Sequence, residues 1–257
     1  MTTTAPGTFT PQPGRAPLTR MITAQAAMEL RITLRRGESV LLTLIIPVLM
    51  LFGLARVDVI DVPGSRIAFF TPGILALAIM STAFTGQAIA TGFERQYGVL
   101  KRLGASPLPR WGLLTAKTAA VVVLEIGQIA VLSVVALLLG WSPRGSFFTV
   151  VLLVLLGTTV FSALALLLAG TLRAEATLAA ANLIWFVFLV CGGVLFPLSR
   201  FSPAVRDLLR WLPLPALADG MRAVLRDGAL LPRHDVAVLV VWAAVLVTAT
   251  ASTFRWE

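Results

Sequence analysis

Six stretches of the chain carry almost no charge and approach or exceed the length that crosses a bilayer. An α-helix rises about 1.5 Å per residue, so about 20 apolar residues span a hydrocarbon core. The pattern predicts an all-α integral membrane protein with six transmembrane helices. Because six is an even number, both termini are expected on one side of the membrane. The predicted spans are residues 39–57, 67–92, 111–139, 147–172, 176–196 and 236–254.

The chain before these spans divides into two segments. Residues 1–17 contain Thr, Pro and Gly but no apolar run, so we expect a disordered tail. Residues 18–36 place apolar side chains on one arc and arginines on another at helical spacing, although Gln25 and Glu29 interrupt the apolar arc. This pattern predicts an amphipathic helix lying in the membrane interface. Residues 18–257 then form one transmembrane domain.

The segment between the last two spans, residues 197–235, predicts two short amphipathic helices. Ser202 followed by proline is a helix start, which indicates a helix over 203–212, and a second is expected over 215–227. The second helix has Met221, Val224 and Leu225 on its apolar side and Arg222 and Arg226 on its polar side. The helices could re-enter the outer leaflet or form a solvated external hairpin.

Composition supports a membrane protein and argues against other classes. Hydrophobic residues make up 58% of the chain, more than a soluble domain of this size could bury. The net charge of +9 comes mostly from arginines that flank the apolar spans, where they anchor helices at headgroups and do not indicate nucleic-acid binding. Arginine accounts for all but two of the 21 basic residues, a bias typical of a GC-rich bacterial genome. The single cysteine, Cys191, excludes an intrachain disulfide.

The distribution of basic residues predicts the orientation. The loop 93–110 carries five charges, four of them basic, so the positive-inside rule places it in the cytoplasm with both termini. The short loops on the other side carry only Arg56, Arg66 and Arg144. The longer segment 197–235 adds six arginines outside, but long loops count little in this rule. We expect a multi-pass protein of the bacterial inner membrane.

The cytoplasmic loop 93–110 itself resembles a known element. Its residues 95–103 favour a helix, and Ser106-Pro107-Leu108-Pro109 ends it because proline lacks the N–H and clashes with the preceding turn. The pattern E-R-x-x-G-x-L-K-R-L-x-x-S-P-L, followed by AKTAA in the next span, resembles the first cytoplasmic loop of ABC-2 type transporter permeases, such as the daunorubicin and multidrug exporters. The usual Gly-Thr of that loop reads Gly98-Val99 here, and the segment 197–235 is similar to the family's re-entrant helices without their asparagine.

The resemblance implies a role for this loop. In that family a coupling helix, here residues 94–103, fits a groove on a separate ATP-binding cassette subunit. The implied partner-coupling residues are Glu94, Arg95, Gly98, Leu100, Leu103 and Pro107.

Several kinds of chemistry are not expected on this chain. A P-loop needs Gly-Lys before Ser or Thr, but Lys101 follows a leucine and Lys117 an alanine. ATP and Mg²⁺ are therefore expected on the partner subunit, with no cofactor here. His234 and Cys191, the only His and Cys, cannot form a zinc site, and neither a metal site nor a catalytic residue is predicted.

Five polar residues within the predicted spans are candidates for the transport pathway. They are Glu125 and Gln128 in the third span, Asn182 in the fifth, and Ser81 and Thr85 in the second. A charge at the membrane centre costs about 3 kcal/mol on insertion scales, so Glu125 should face protein or a wet cavity. It could line the path or switch conformation, or it could form a structural hydrogen bond with Asn182 or Lys117.

The predicted function is that of the permease subunit of an ABC exporter. The resemblance implies two permease chains, as a homodimer or a paralogous heterodimer, with two ATP-binding subunits. The apolar spans favour an amphiphilic substrate such as a lipid, a lipid-linked glycan or a hydrophobic drug. The alternative is a membrane-embedded enzyme or assembly factor that handles lipid or quinone without nucleotide coupling. Co-purification of an ATPase would distinguish the two.

Overall fold

The computed structural model describes residues 16–35, 37–57, 62 and 64–253, with the backbone alone for residues 37–42. The predicted tail, 1–17, lies almost wholly outside these residues. Every regular element of the described chain is helical, which confirms the predicted all-α class. The helices are α1 (Leu18–Arg35), α2 (Gly37–Arg56), α3 (Arg66–Gln96), α4 (Val99–Gly104), α5 (Arg110–Leu138), α6 (Phe147–Thr171), α7 (Ala174–Cys191), α8 (Pro203–Leu209), α9 (Pro213–Leu225) and α10 (Arg233–Thr253).

Five of these helices, α3, α5, α6, α7 and α10, are long and apolar enough to cross a membrane. The protein is therefore a multi-pass membrane protein. In α2, which contains Pro47, the part with described side chains is a shorter apolar helix, Thr43–Arg56. The first of the six predicted spans, 39–57, thus stays a prediction.

Helix α3 forms the centre of the bundle. Most of its surface is buried, and it packs against α2, α5, α6, α7 and α9. Its 31 residues correspond to about 46 Å, well beyond a hydrocarbon core of about 30 Å. The helix continues to Gln96, four residues past the predicted end of the span, and the membrane boundaries of the span stay a prediction. Gly92 lies inside the helix, where an added Cβ would come within 3.4 Å of the Thr177 side chain, so this glycine lets α7 approach closely.

The bundle has two ends, which we call the loop end and the far end. The loop end contains α1, α4 and residues 93–110, and the far end contains α8, α9 and the turn after α7. Helix α7 ends at Cys191, five residues before the predicted end of the span, and in the turn that follows Gly193 adopts a left-handed conformation with φ of +69°.

The two short helices predicted between the last spans are present at the far end, as α8 and α9. Helix α9 lies between α3, α6 and α10, and 11 of its 13 residues are buried. This burial excludes a solvated hairpin for the second helix, whereas its re-entry into a bilayer stays a prediction. The expected polar side of α9 is wrong at Arg222, which is buried because its guanidinium reaches main-chain carbonyls of α3 and of the turn after α7.

Candidate functional site

The sequence predicted one helix over residues 94–103, but the loop 93–110 does not contain such a helix. Glu94 and Arg95 belong to the last turn of α3, and the chain then turns at Gly98 before the six-residue helix α4 begins. Gly98 has a φ of +70°, which a residue with a Cβ rarely adopts. No other atom lies within 4 Å of the place where its Cβ would be, so the turn itself accounts for this glycine.

Leu100 faces the interior of the protein. It is fully buried in a small apolar cluster with Leu108, Leu113 and Leu166, against which Leu103 is partly buried. Met21 and Ile22 of helix α1 pack on the same cluster. The expectation that Leu100 contacts a partner is therefore wrong for this conformation, because its side chain fixes α4 to α1, α5 and α6.

The opposite side of the same turn and helix is exposed. The Tyr97 side chain is 71% exposed and its ring stacks on Phe93, with centroids 6.1 Å apart. Val99 is 39% exposed. We call the exposed set the loop patch; it consists of Tyr97, Val99, Lys101, Arg102 and Pro107. Of these residues only Pro107 was among the predicted partner-coupling residues. If Leu100 and Leu103 are taken as the buried side of a helix, the helical period places the other residues on its exposed side.

A buried lysine joins the loop to helix α1. Lys117 of α5 is 4% exposed, and its Nζ lies 2.9 Å from a carboxylate oxygen of Glu29 in α1 and 2.5 Å from one of Glu94 in α3. We call these three residues the Glu–Lys–Glu triad. Its two carboxylates offset the cost of burying the ammonium group. Two sequence anomalies pointed here: Glu29 interrupts an apolar arc, and Lys117 lies just inside a span.

Arg95 and Gln96 connect the end of α3 to two further helices. Arg95 donates hydrogen bonds to the carbonyl oxygens of Ala169, at 3.1 Å, and Leu172, at 3.3 Å. Gln96 donates to a carboxylate oxygen of Glu175 at 2.7 Å. The predicted residues Glu94 and Arg95 therefore bind elements of their own chain. A movement of the loop would be transmitted to α5, α6 and α7.

The intramembrane polar residues form separate pairs and not a single cluster. Gln128 accepts a hydrogen bond from Thr82 at 2.9 Å and donates one to the carbonyl of Thr43 at 2.8 Å. The Trp185 indole donates to Ser81 at 2.8 Å. Ser81 and Thr82 lie in a π-helical segment of α3, Ser81–Gly86, and such segments are frequent at functional sites.

Glu125 is fully buried and accepts a hydrogen bond from Thr158 of α6. Neither partner expected for it, Asn182 or Lys117, is the one found, because Lys117 is engaged in the triad and Asn182 lies on an exposed side of α7. The Thr85 hydroxyl is buried without a hydrogen-bond partner among the described residues. Among all residues that the structure describes, no three His, Cys, Asp or Glu side chains lie together as a metal site would require.

Comparison with known proteins identifies the family of the chain. The family described as "ABC-2 type transporter" matches residues 22–225. The protein named "Putative transport permease YvfS" of Bacillus subtilis (strain 168) is 22% identical over 215 residues, which cover 80% of this chain and 85% of that protein. The family match includes the loop and both residues that bind Lys117. They indicate a transporter and not an enzyme, and the chain belongs to the ABC-2 type transporter family.

Proposed function

We propose that the protein is the permease subunit of an ATP-driven exporter that moves an amphiphilic substrate out of the cytoplasm or the inner leaflet. Two copies of an ATP-binding cassette subunit bind at the loop end and hold ATP and Mg²⁺. Lipids, lipid-linked glycans and hydrophobic drugs are the substrate classes that fit the mostly apolar helices.

The loop patch is the observation that carries this proposal. It combines one exposed aromatic ring, one exposed aliphatic side chain and two cations on a surface whose underside is anchored by Leu100. Aromatic anchors beside charged groups are typical of the energetic centre of a protein interface. A surface held rigidly from below also loses little conformational entropy when a partner binds.

The Glu–Lys–Glu triad supports a route from this surface into the membrane. When the ATP-binding subunits close, a push on the loop patch moves the end of α3, and Glu94 passes this displacement to Lys117 of α5 and Glu29 of α1. Such coupling is a rigid-body movement of packed helices. It requires that the three helices move together, which the shared ammonium group favours.

Asn182 supports a second permease chain. It lies on a side of α7 that also exposes Leu183, at 64%, and Phe186, at 59%. An amide that faces hydrocarbon without a partner is costly, and asparagines in membrane helices are usually found hydrogen-bonded across a helix interface. We propose that α7 of a second copy, or of a paralogue, covers this surface. Both chains would lie in the bacterial inner membrane with their termini in the cytoplasm.

Purification of the full chain from its native membrane tests the proposal. We expect an ATP-binding cassette subunit, identified by its own P-loop sequence, to co-purify and to hydrolyse ATP in the complex. Tyr97→Ala should weaken this association by about tenfold, as truncation of an interface aromatic does. The matched control is Arg210→Glu at the far end, which should leave the association unchanged.

Two outcomes would contradict the proposal. The first is a chain that is fully active in lipid or quinone chemistry and recovers no ATPase. The second is an association that the loop-patch variant and the far-end control weaken equally.

A further inference from the structure

A pocket of about 380 Å³ lies at the far end, where the first turn of α3, the loop between α5 and α6, and the residue after α9 meet. None of the predicted site residues lines this pocket. The loop patch lies at the opposite end of the bundle. The polar lining of the pocket consists of Ser65, Ser142, Arg144 and Arg226. The space is roughly a dozen times the volume of one liquid water, about 30 Å³ each, which is room for a small polar headgroup.

The two arginines give the pocket a positive charge. The Arg144 side chain is exposed and makes no hydrogen bond or ion pair with the described residues, while its backbone N–H donates to the Leu225 carbonyl at 2.9 Å. That bond holds the loop against the end of α9. Arg226 is bonded to Asp227 at 2.7 Å. The group of three side chains thus keeps one net positive charge, provided by an arginine with free donors.

The start of α3 adds backbone donors to the same space. Ile67 and Ala68, in the first turn of this 31-residue helix, line the pocket, and Ser65 at the N-cap makes no capping hydrogen bond with its side chain in the described structure. The first N–H groups of a helix have no intrahelical acceptor and carry a partial positive charge. An anion in the pocket would bind these groups and Arg144 together.

Two strongly exposed apolar side chains lie close to the pocket-lining residues along the chain. Leu138, two residues before the pocket-lining Gly140, is 83% exposed, and Phe148 at the start of α6 is 84% exposed. Polar pocket residues thus stand close in the chain to apolar side chains that the protein leaves uncovered. A ligand that fits both parts carries an anionic group and an apolar chain.

We propose that this pocket binds the phosphate headgroup of an amphiphile, with the acyl chain against Leu138 and Phe148. A phosphate suits the lining because it offers several acceptor oxygens to a guanidinium fork, to two hydroxyls and to helix amides at once. If the proposed exporter function holds, the pocket is a binding station for a phosphate-bearing substrate or lipid on the exit side.

The test measures binding to the full permease chain in nanodiscs of phosphatidylcholine, without any ATPase, so that failure of the exporter proposal does not affect the result. Binding of added phosphatidylglycerol is quantified by native mass spectrometry, and inorganic phosphate and glycerol phosphate serve as the soluble arm. We expect saturable binding of phosphatidylglycerol. Arg144→Gln should weaken it about tenfold, the effect of losing one charge-assisted hydrogen-bond pair.

Two further variants keep the test independent of folding defects. Ser142→Asp puts a negative charge at an exposed loop position in the pocket, and should weaken binding at least as much as Arg144→Gln. Arg210→Gln removes an exposed arginine of the far end outside the pocket, and should leave binding unchanged. The unfolding temperature of each variant in the same nanodiscs reports whether it is folded.

Three results would overturn the proposal. The first is that Arg144→Gln and Ser142→Asp are folded and still bind phosphatidylglycerol as tightly as the parent chain does. The second is that Arg210→Gln reduces binding as strongly as Arg144→Gln and Ser142→Asp do, which would indicate unspecific attraction of the lipid to positive charge. The third is that inorganic phosphate binds as tightly as the lipid, which would make the pocket a site for a free anion and not for an amphiphile.

Discussion

Among the described residues, each end of the bundle buries one cation, and the two cations are stabilised in different ways. At the loop end, Lys117 binds the carboxylates of Glu29 and Glu94. At the far end, Arg222 of α9 donates to the main-chain carbonyls of Gly193, at 2.6 Å, and Phe69, at 3.2 Å, in addition to Asp219 at 2.8 Å. The guanidinium also lies 4.2 Å from the centre of the Phe69 ring.

This difference teaches which end can move. Side-chain carboxylates can rotate, so Glu29 and Glu94 can keep their bonds to Lys117 while the loop end is displaced. Main-chain carbonyls of packed helices cannot turn toward another donor without moving the backbone. A guanidinium that binds several of them fixes α9, α3 and the turn after α7 in one arrangement. We therefore expect an adjustable loop end and a rigid far end.

The largest effect should come from breaking the far-end clamp, the name we give to Arg222 with its acceptors Phe69, Gly193 and Asp219. Arg222→Met leaves Asp219 and two buried carbonyls without their donor, which should lower the free energy of unfolding by about 3 to 5 kcal/mol. Denaturant unfolding in detergent micelles measures it. Arg226→Gln, one turn further along the chain and half-buried, should cost about 0.5 kcal/mol or less. A loss under about 1 kcal/mol for Arg222→Met would contradict the clamp.

The next largest effect concerns the buried side of the loop. Leu100→Ala opens a cavity in the cluster with Leu113 and Leu166, and should cost about 3 kcal/mol of unfolding free energy. Tyr97→Ala removes an exposed ring a few residues away and should change stability by about 0.5 kcal/mol or less. Measured together with ATPase association, the two variants should separate stability, which depends on Leu100, from partner binding, which depends on Tyr97. Equal losses of stability would contradict the assignment of the two faces.

Removing the triad cation should have a smaller effect than removing Arg222. Lys117→Met leaves two like charges facing each other, but Glu29 and Glu94 are partly exposed and can turn to water. We therefore expect a loss of about 2 kcal/mol. Adding Glu29→Gln and Glu94→Gln to this variant should restore part of the stability, because the repulsion disappears. If the triple variant is less stable than Lys117→Met alone, the carboxylates have other roles.

The smallest effect is expected midway between the two ends. Gln128→Leu removes the bonds to Thr82 and to the Thr43 carbonyl, and hydrogen bonds between membrane helices contribute about 0.6 kcal/mol on average. Unfolding in detergent should show a loss of about 1 kcal/mol or less. A transport rate that falls far more than stability does would indicate that the π-helical segment moves during transport.

The sequence by itself determined the elements that depend on short-range properties. Helix length, apolar composition and proline or glycine breaks act within one or two turns, and they predicted the five helices now seen to be long enough for spans. They also predicted the break at residues 106–109 and the two short helices of the far end. The loop pattern carried the family resemblance because its residues are adjacent along the chain.

Only the tertiary structure decided which side chains meet. Lys117 binds residues 23 and 88 positions away in the chain, and no local pattern specifies such a pairing. The orientation of α4 depends on the leucines of α5 and α6 that cover Leu100, and the burial of Arg222 depends on carbonyls left free by the turn at Gly193. These features arise from packing between distant segments, whose free energy depends on the whole arrangement and not on local sequence.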